Sequence, residues 1–183
     1  MRFTATDLAN PTAIPNVAAI ADLVGCNLGT TDWIEVSQEK IDTFAAATGD
    51  RQWIHCDVER AQRESPFKST IAHGYLTVAL VPALLPKLLV VDDCRTVINT
   101  GIEKLRLSTP VLAGSRIRMS AIVKDARKVP GGGVRATISI RFEVEGSKKP
   151  ACHGVVTYVY FPKERDPRMG SRDDASESEG FAS

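Results

Sequence analysis

Several hallmarks of other protein classes are scarce in this sequence of 183 residues. Aromatic residues make up 6% of it, and its four cysteines form no Cys-x-x-Cys pair. A disulfide framework or a structural zinc site is therefore not indicated, and a reducing compartment is expected. The formal net charge is only +1, because 23 basic residues face 22 acidic ones. This balance predicts neither nucleic acid nor a membrane surface as a partner.

A long, uninterrupted hydrophobic run is also missing. Residues 75–91 are almost wholly apolar, but they contain Pro82, Pro86 and Lys87 and are short for a bilayer, which needs ~20 apolar residues. We therefore interpret this run as a helix buried on all sides within the protein. Near the start of the chain, Asp7 stands where a secretory signal would need its apolar core, so a cytoplasmic protein is predicted.

The composition that is present, 43% hydrophobic and 25% charged, fits one domain with a substantial core. Residues 1–30 are expected to be mostly irregular with a short helical stretch, because prolines and glycines interrupt them. Residues 31–162 form the predicted domain. Residues 163–183 are too polar to bury a core and are predicted to be a disordered tail.

Hydrophobic periodicity predicts an α+β fold. Apolar and polar residues alternate over 134–145 and, more briefly, over 117–123, and a β-rich run covers 155–161. Turn sequences separate these strands, so an antiparallel meander is expected. Strands at 31–36 and 96–99 raise the count to about five. The expected architecture is a curved antiparallel sheet wrapped around one long central helix that begins near Ala72.

Shorter helices are predicted by their terminal residues. Ser37 is placed to cap a helix that Gly49 ends, and Asp57 is placed to cap another that stops before Pro66. The segment between these two helices, from Asp50 to Ile54, should then be a loop.

Two segments contain candidate chemistry. Asp50 and His55 supply a carboxylate and an imidazole that can converge on one small molecule. The segment Ile71-Ala72-His73-Gly74 follows, and the amides that open the predicted helix, that of Gly74 above all, can bind a carbonyl oxygen. Spacing alone leaves the ordinary alternatives open: a solvated turn aspartate, a packed histidine, and a His73 that merely holds the loop entering the helix.

The same region contains a possible metal-binding pattern. Asp50, His55 and Asp57 form an Asp-x4-His-x-Asp pattern, which has no established ligand geometry. No metal is therefore predicted.

Recognisable blocks favour the catalytic interpretation. FAAATGDRQWIHCD at 44–57, Ser65-Pro66-Phe67, and IAHGYLT at 71–77 resemble the MaoC-like, (R)-specific enoyl-CoA hydratases and 3-hydroxyacyl dehydratases, and the spacing between the blocks matches as well. GIEKLRLSTPV at 101–111 and Gly114-Ser115-Arg116-Ile117 resemble the family's later motif. The resemblance covers about 31–161, and the actinobacterial members with a single hot-dog domain are the nearest likeness.

The resemblance implies a hot-dog fold and a specific reaction. Asp50 and His55 would orient and deprotonate the water that adds to trans-2-enoyl-CoA, giving (3R)-hydroxyacyl-CoA reversibly and without a metal or redox cofactor. Gly74 would occupy the oxyanion position, with Ile71, Ala72 and His73 beside it in the substrate-binding segment. Lys104 and Arg106 would contact the CoA phosphates or else form a solvated strand face. The resemblance does not decide between CoA and acyl carrier protein.

Three positions depart from the family's pattern. Glu103 stands where relatives commonly have asparagine, Leu107 replaces a frequent phenylalanine, and Pro82 replaces a serine of some relatives. Glu103 would alter substrate choice or pH dependence if that asparagine shapes the pocket.

Two other functions remain open on the sequence. A hot-dog thioesterase would use a carboxylate to release the acyl chain, and a non-catalytic acyl-CoA-binding subunit would work only with a partner. An exposed sheet edge, together with the resemblance, predicts a homodimer with the acyl tunnel near its interface.

Overall fold

The computed structural model describes residues 11–163 and contains seven strands and five α-helices within that range. The strands are β1 Thr12–Asn16, β2 Asn27–Thr30, β3 Ile34–Val36, β4 Leu89–Leu107, β5 Ser115–Val129, β6 Gly133–Val144 and β7 Pro150–Pro162. The α-helices are α1 Gln38–Thr48, α2 Trp53–Cys56, α3 Val58–Glu64, α4 Gly74–Ala79 and α5 Val81–Leu84. Short 3-10 helices span Val17–Leu23, Leu85–Lys87 and Pro130–Gly132.

The strands form one sheet with the order β1-β4-β7-β6-β5-β2, and β3 also pairs with β5. The predicted antiparallel meander is confirmed, because β5, β6 and β7 pair in sequence. The sheet as a whole is mixed rather than antiparallel, since β1 runs parallel to the start of β4. It also has seven strands instead of about five.

The short helical stretch expected in the N-terminal segment is present as the 3-10 helix Val17–Leu23, but the expectation that the rest is irregular was wrong for residues 12–30. This part of the chain adds β1 and β2 to the sheet, and the 3-10 helix Val17–Leu23 between them packs against β5, β6 and β7. Ile14, Ile20 and Leu23 are fully buried in the core. Strand β1 contains Pro15, and a proline in a short segment argues against a strand in the sequence. The structure accommodates it because an edge strand tolerates a residue that cannot donate a hydrogen bond. Residues 1–10 and 164–183, with most of the predicted polar tail, lie outside the described residues.

The long central helix is broken in the structure. Residues 74–87 form α4, α5 and a final 3-10 turn, and residues 89–91 already belong to β4. Pro82 and Pro86 lack the amide hydrogen that a continuous helix needs, which explains the interruptions. One face of the segment, including Tyr75 and Pro82, is exposed, so it is not buried on all sides. Within residues 11–163, no helix has the length and apolarity to cross a membrane.

The short helices around the candidate site agree with their predicted ends. The Ser37 side chain accepts a hydrogen bond from the Lys40 amide, and Gly49 ends α1 with a positive φ of 81°. The Asp57 side chain caps α3 by accepting a hydrogen bond from the Arg60 amide. These caps fix the two ends of the loop that contains Asp50, and α2 places His55 on the inner side of that loop.

Candidate active site

Asp50 lies directly after the left-handed turn at Gly49 that ends α1. Its amide donates to the Thr48 hydroxyl, and one of its carboxylate oxygens accepts a hydrogen bond from the Gln52 amide, both at 3.4 Å. The carboxylate is 47% exposed. It is therefore held by its own loop and remains accessible to a ligand.

His55 is buried in α2 and has a defined hydrogen-bonding partner. Its Nδ1 lies 2.7 Å from the backbone oxygen of Ile71. Because a carbonyl oxygen only accepts, Nδ1 must carry the proton, which leaves Nε2 of the neutral ring as a proton acceptor. The Gln38 side chain donates to the His55 carbonyl oxygen at 2.8 Å and thereby ties α1 to this turn.

His73 lies against both of these residues. Its Nε2 is 2.9 Å from the backbone oxygen of Asp50 and 3.9 Å from the Asp50 Oδ2. Its ring stacks on that of His55 with centroids 3.8 Å apart, and Phe44 covers it at 5.1 Å. Its Nδ1 is buried and has no hydrogen-bond partner among the described residues. Sequence reasoning from spacing gave His73 only the loop-holding role, since the stack depends on the approach of two distant segments.

The three side chains converge. One ligand atom each from Asp50, His55 and His73 lies within 4.8 Å of the other two. Asp57, the third member of the Asp-x4-His-x-Asp pattern, is not in this group because its side chain caps α3. The cluster could surround a divalent cation, but the His73 Nε2 already donates to the Asp50 carbonyl oxygen. Acid–base chemistry on one water needs only the Asp50 carboxylate and the His55 ring, so the hydrogen bond from His73 to the Asp50 carbonyl oxygen can stay intact.

The segment 71–74 divides into occupied and free amides. The Ile71 amide donates to the Ile54 carbonyl oxygen at 3.0 Å, and the Ala72 amide donates to that of Val111 at 2.7 Å. These two amides are thus engaged in holding the segment. The Gly74 amide has no acceptor among residues 11–163, which leaves it available for a substrate oxygen. A methyl group at Gly74 would collide with the Leu107 side chain, so the glycine permits Leu107 to pack over this point.

Lys104 and Arg106, the candidate contacts for CoA, lie near the C-terminal end of β4, close to Leu107. Lys104 has a positive φ of 52° and sits in an irregularity of the β4–β7 pairing, and Lys104 and Arg106 are both exposed. Arg106 directly precedes Leu107. Glu103 instead lines a depression on the opposite face of the sheet together with Arg127 and Arg135. In this chain Glu103 therefore lies away from Asp50 and His55.

Cys56 follows His55, and it is the cysteine closest to the cluster in sequence. Burial raises the pKa of its thiol, and the negative charges of Asp42 and Asp50 raise that pKa further, while Arg51 lowers it. A thiol with a raised pKa is mostly protonated near neutral pH and is a poor nucleophile. The structure does not present Cys56 as an activated nucleophile.

Apolar space adjoins the cluster. A cavity of about 310 Å³ is lined by Phe44, Tyr75 and Ile102, and the Phe44 ring lies 5.1 Å from that of His73. A second apolar cavity, of about 330 Å³, continues from Pro82 towards Tyr158 and Tyr160. Both are large enough for part of an acyl chain.

Comparison with known proteins assigns the family. Residues 20–147 match the MaoC-like domain, and the chain belongs to the MaoC-like dehydratase family. Its α+β fold, with a helix against a curved sheet, is the hot-dog fold of this family.

Individual relatives agree with this assignment. The chain is 44% identical over 146 residues to the 3-hydroxyacyl-thioester dehydratase Z of Mycobacterium tuberculosis, covering 79% of this chain and 96% of that one. It is 35% identical over 161 residues to nodulation protein N of Rhizobium meliloti, covering 85% and 98%. The solved structure of the (R)-hydratase PhaJ1 from Pseudomonas aeruginosa superimposes with a TM-score of 0.62 at 27% identity, covering 79% and 86%.

Proposed function

We propose that the protein catalyses the reversible hydration of trans-2-enoyl-CoA to (3R)-hydroxyacyl-CoA. The observation that carries this proposal is the hydrogen bond from His55 Nδ1 to the Ile71 carbonyl oxygen. It leaves Nε2 as the proton acceptor of a ring that clusters with the accessible Asp50 carboxylate. The His55 ring stacks on His73, and His73 contacts Phe44, which lines apolar space that can receive an acyl chain. Similarity to a 3-hydroxyacyl-thioester dehydratase and to an (R)-hydratase supports the same reaction.

The mechanism follows from these atoms. A water held by Asp50 and His55 gives a proton to the pair while its oxygen bonds to C3 of the substrate. The thioester oxygen gains enolate charge and accepts a hydrogen bond from the Gly74 amide. The proton then passes from the same pair to C2, on the face to which the oxygen has added, and the free pair is restored. Dehydration is the reverse sequence.

The assay uses crotonyl-CoA as the substrate. Loss of the absorbance of the conjugated thioester without release of free thiol identifies hydration, and chiral analysis should identify the (3R) product. Asp50→Asn and His55→Ala should each lower kcat by roughly 10²- to 10⁴-fold, the contribution typical of general acid–base catalysis.

Two control variants are available elsewhere in the chain. Asp57→Asn keeps a good helix cap, and His153→Ala changes an exposed histidine of β7, so both should retain activity. If Asp50→Asn and His55→Ala left the turnover of the preparation unchanged, the dyad would be wrong, and a silent subunit of a heteromer would explain the binding of substrate. Release of free CoA would instead identify a thioesterase, which would use a carboxylate to release the acyl chain.

We also propose that Lys104 and Arg106 bind the CoA phosphates and that the chain forms a homodimer in the cytoplasm. The two cations are exposed near Leu107, whose side chain packs against the Cα of Gly74. The four cysteines form no disulfide within residues 11–163, which agrees with a reducing compartment. The free edge of β4 supports the dimer and is tested below.

A further inference from the structure

The two apolar cavities follow each other along one side of α4 and α5, and they share Pro82. Val156 lines the first cavity, and Tyr158 and Tyr160 line the second. Successive residues of one face of a strand are separated by about 6–7 Å, so the groove extends ~13 Å along β7 from Val156 to Tyr160. It begins at Phe44, whose ring lies against that of His73 in the candidate site.

The far end of this groove is not purely apolar. Tyr158 is 4% exposed, and its hydroxyl is buried without a hydrogen-bond partner among the described residues. Tyr160 is 5% exposed. Burial raises the pKa of Tyr160, and the neighbouring Tyr158 and Cys94 raise it further, which indicates that these polar groups lie close together.

A buried hydroxyl without a partner costs free energy, and native proteins keep few of them. Apart from Cys94 and Tyr160, the walls of this cavity are aliphatic or proline, for example Pro82, Leu85 and Leu89. A fully saturated chain would fill such a space and leave the hydroxyl unpaired. A chain with one oxygen at this depth would fill the space and supply the missing acceptor.

We propose that this groove selects enoyl thioesters whose acyl group has a hydroxyl or carbonyl oxygen far from the thioester, and that Tyr158 hydrogen-bonds that oxygen. The inference rests on the proposed hydratase function. The occupant is the acyl chain because the two cavities share Pro82 and the first is lined by Phe44, whose ring contacts His73 in the candidate site.

The test compares pairs of substrates of equal length. Trans-2-hexenoyl-, octenoyl-, decenoyl- and dodecenoyl-CoA are each assayed against their ω-hydroxy analogues, with wild type and Tyr158→Phe. In wild type, kcat/KM should favour the hydroxylated member by about tenfold or more at the length that reaches Tyr158, since a site built to bind a hydroxyl discriminates against its absence. In Tyr158→Phe, the ratio should fall to about one at that length.

Tyr75→Phe is the matched control. It removes an exposed phenolic hydroxyl at the other end of the groove, so the ratio should stay as in wild type. Wild-type turnover of crotonyl-CoA separates the two hypotheses. If crotonyl-CoA and all longer enoyl-CoAs remain unhydrated, the proposed function fails, whereas hydration with a ratio of one at every length overturns only this inference.

Two further measurements, of Tm and of sedimentation, test whether Tyr158→Phe changes selectivity only by altering the structure of the protein. Because Tyr158→Phe removes an unpaired hydroxyl, its Tm should equal or exceed that of wild type, and a clearly lower Tm would show that the hydroxyl has a partner in the free protein. Sedimentation of Tyr158→Phe should match that of wild type. A change of oligomeric state would mean that a second copy covers the groove, and the inference would be overturned.

Discussion

The two histidines of the site each donate one ring hydrogen to a backbone carbonyl oxygen, but they do so from opposite nitrogens. His55 uses Nδ1 towards Ile71, and His73 uses Nε2 towards Asp50. The first bond fixes which nitrogen of His55 can accept a proton. The second holds the peptide of Asp50, so His73 acts as a positioning residue for the carboxylate.

This arrangement predicts the effect of His73→Phe. Phenylalanine keeps a ring against His55 and Phe44 but removes the donor to the Asp50 carbonyl oxygen. We expect kcat for crotonyl-CoA to fall about tenfold or more, because small misplacements of catalytic groups are costly, while KM changes little. The free energy of unfolding should change by only about 1 kcal/mol, as measured by urea unfolding.

The exposed His153 provides the comparison for that variant. His153→Phe should leave both kcat and KM near those of wild type. A His73→Phe enzyme with a wild-type kcat would contradict the positioning role. Equal changes in kcat and KM would point to a role in substrate binding instead.

For single residues, the candidate site could be predicted from the sequence as a set of residues, but the contacts among those residues could not. The blocks around Asp50 and His55 and around His73 and Gly74 were recognisable in the sequence. The distinction between the engaged amide of Ala72 and the unpaired amide of Gly74 was not, because it depends on Val111, almost 40 residues later in the chain, which accepts the Ala72 hydrogen bond. Such pairings arise from tertiary structure and leave no local pattern.

Among the elements, the end of α1 matters most for the site. Gly49 adopts φ 81° and ψ −3°, and the next residue is Asp50. A glycine reaches this left-handed conformation without the clash that a Cβ produces. The turn therefore sets the direction in which the chain leaves α1 and presents the carboxylate.

Gly49→Ala should consequently affect stability and activity together. We expect a loss of about 1–2 kcal/mol in the free energy of unfolding, the cost of the left-handed conformation in a residue with a Cβ. We also expect kcat/KM to fall about tenfold because Asp50 shifts. The measurements are urea unfolding and hydration of crotonyl-CoA at a temperature where the variant is folded.

Gly146→Ala is the matched control for this effect. Gly146 has φ 76° in the turn between β6 and β7, and neither glycine has a neighbour within 4 Å of an added Cβ. Gly146→Ala should lose similar stability and keep its kcat/KM. Equal activity losses in the two variants would assign the effect to stability alone.

Helices and strands were predicted correctly where a local sequence pattern determines them, and incorrectly where contacts between distant segments do. Ser37, Gly49 and Asp57 marked helix ends correctly because capping depends on neighbours a few residues away. The apolar run at 75–91 was read as one buried helix, yet its prolines divide it and its end enters β4. Strand β1 was missed, since its partner in the sheet begins more than 70 residues later.

For the whole molecule, the unpaired edge of β4 is the feature with the largest consequence. β1 pairs with β4 only up to Asp93, and β7 occupies the other side of β4. Within residues 11–163, the edge of β4 beyond Asp93 thus has no strand beside it. Leu107 at the end of this strand packs over Gly74, so whatever pairs with the edge also lies near the candidate oxyanion site.

The side chains of that strand indicate that the edge is covered. Ile98 and Ile102 are 47% and 46% exposed, although exposed apolar edge strands promote association and are usually protected. Pairing of two β4 strands about a twofold axis would bury both edges at once. The predicted homodimer should therefore be observed by sedimentation velocity at micromolar concentration.

The combined substitution of Ile98→Lys and Ile102→Lys should shift the protein to monomer, because two like charges per chain would face each other across the axis. Val58→Lys changes an equally exposed apolar residue of α3, 42% exposed and remote from this edge, and should remain dimeric. A wild-type protein that sediments only as a monomer, or a dimer unaffected by the two lysines, would show that this edge is not the interface.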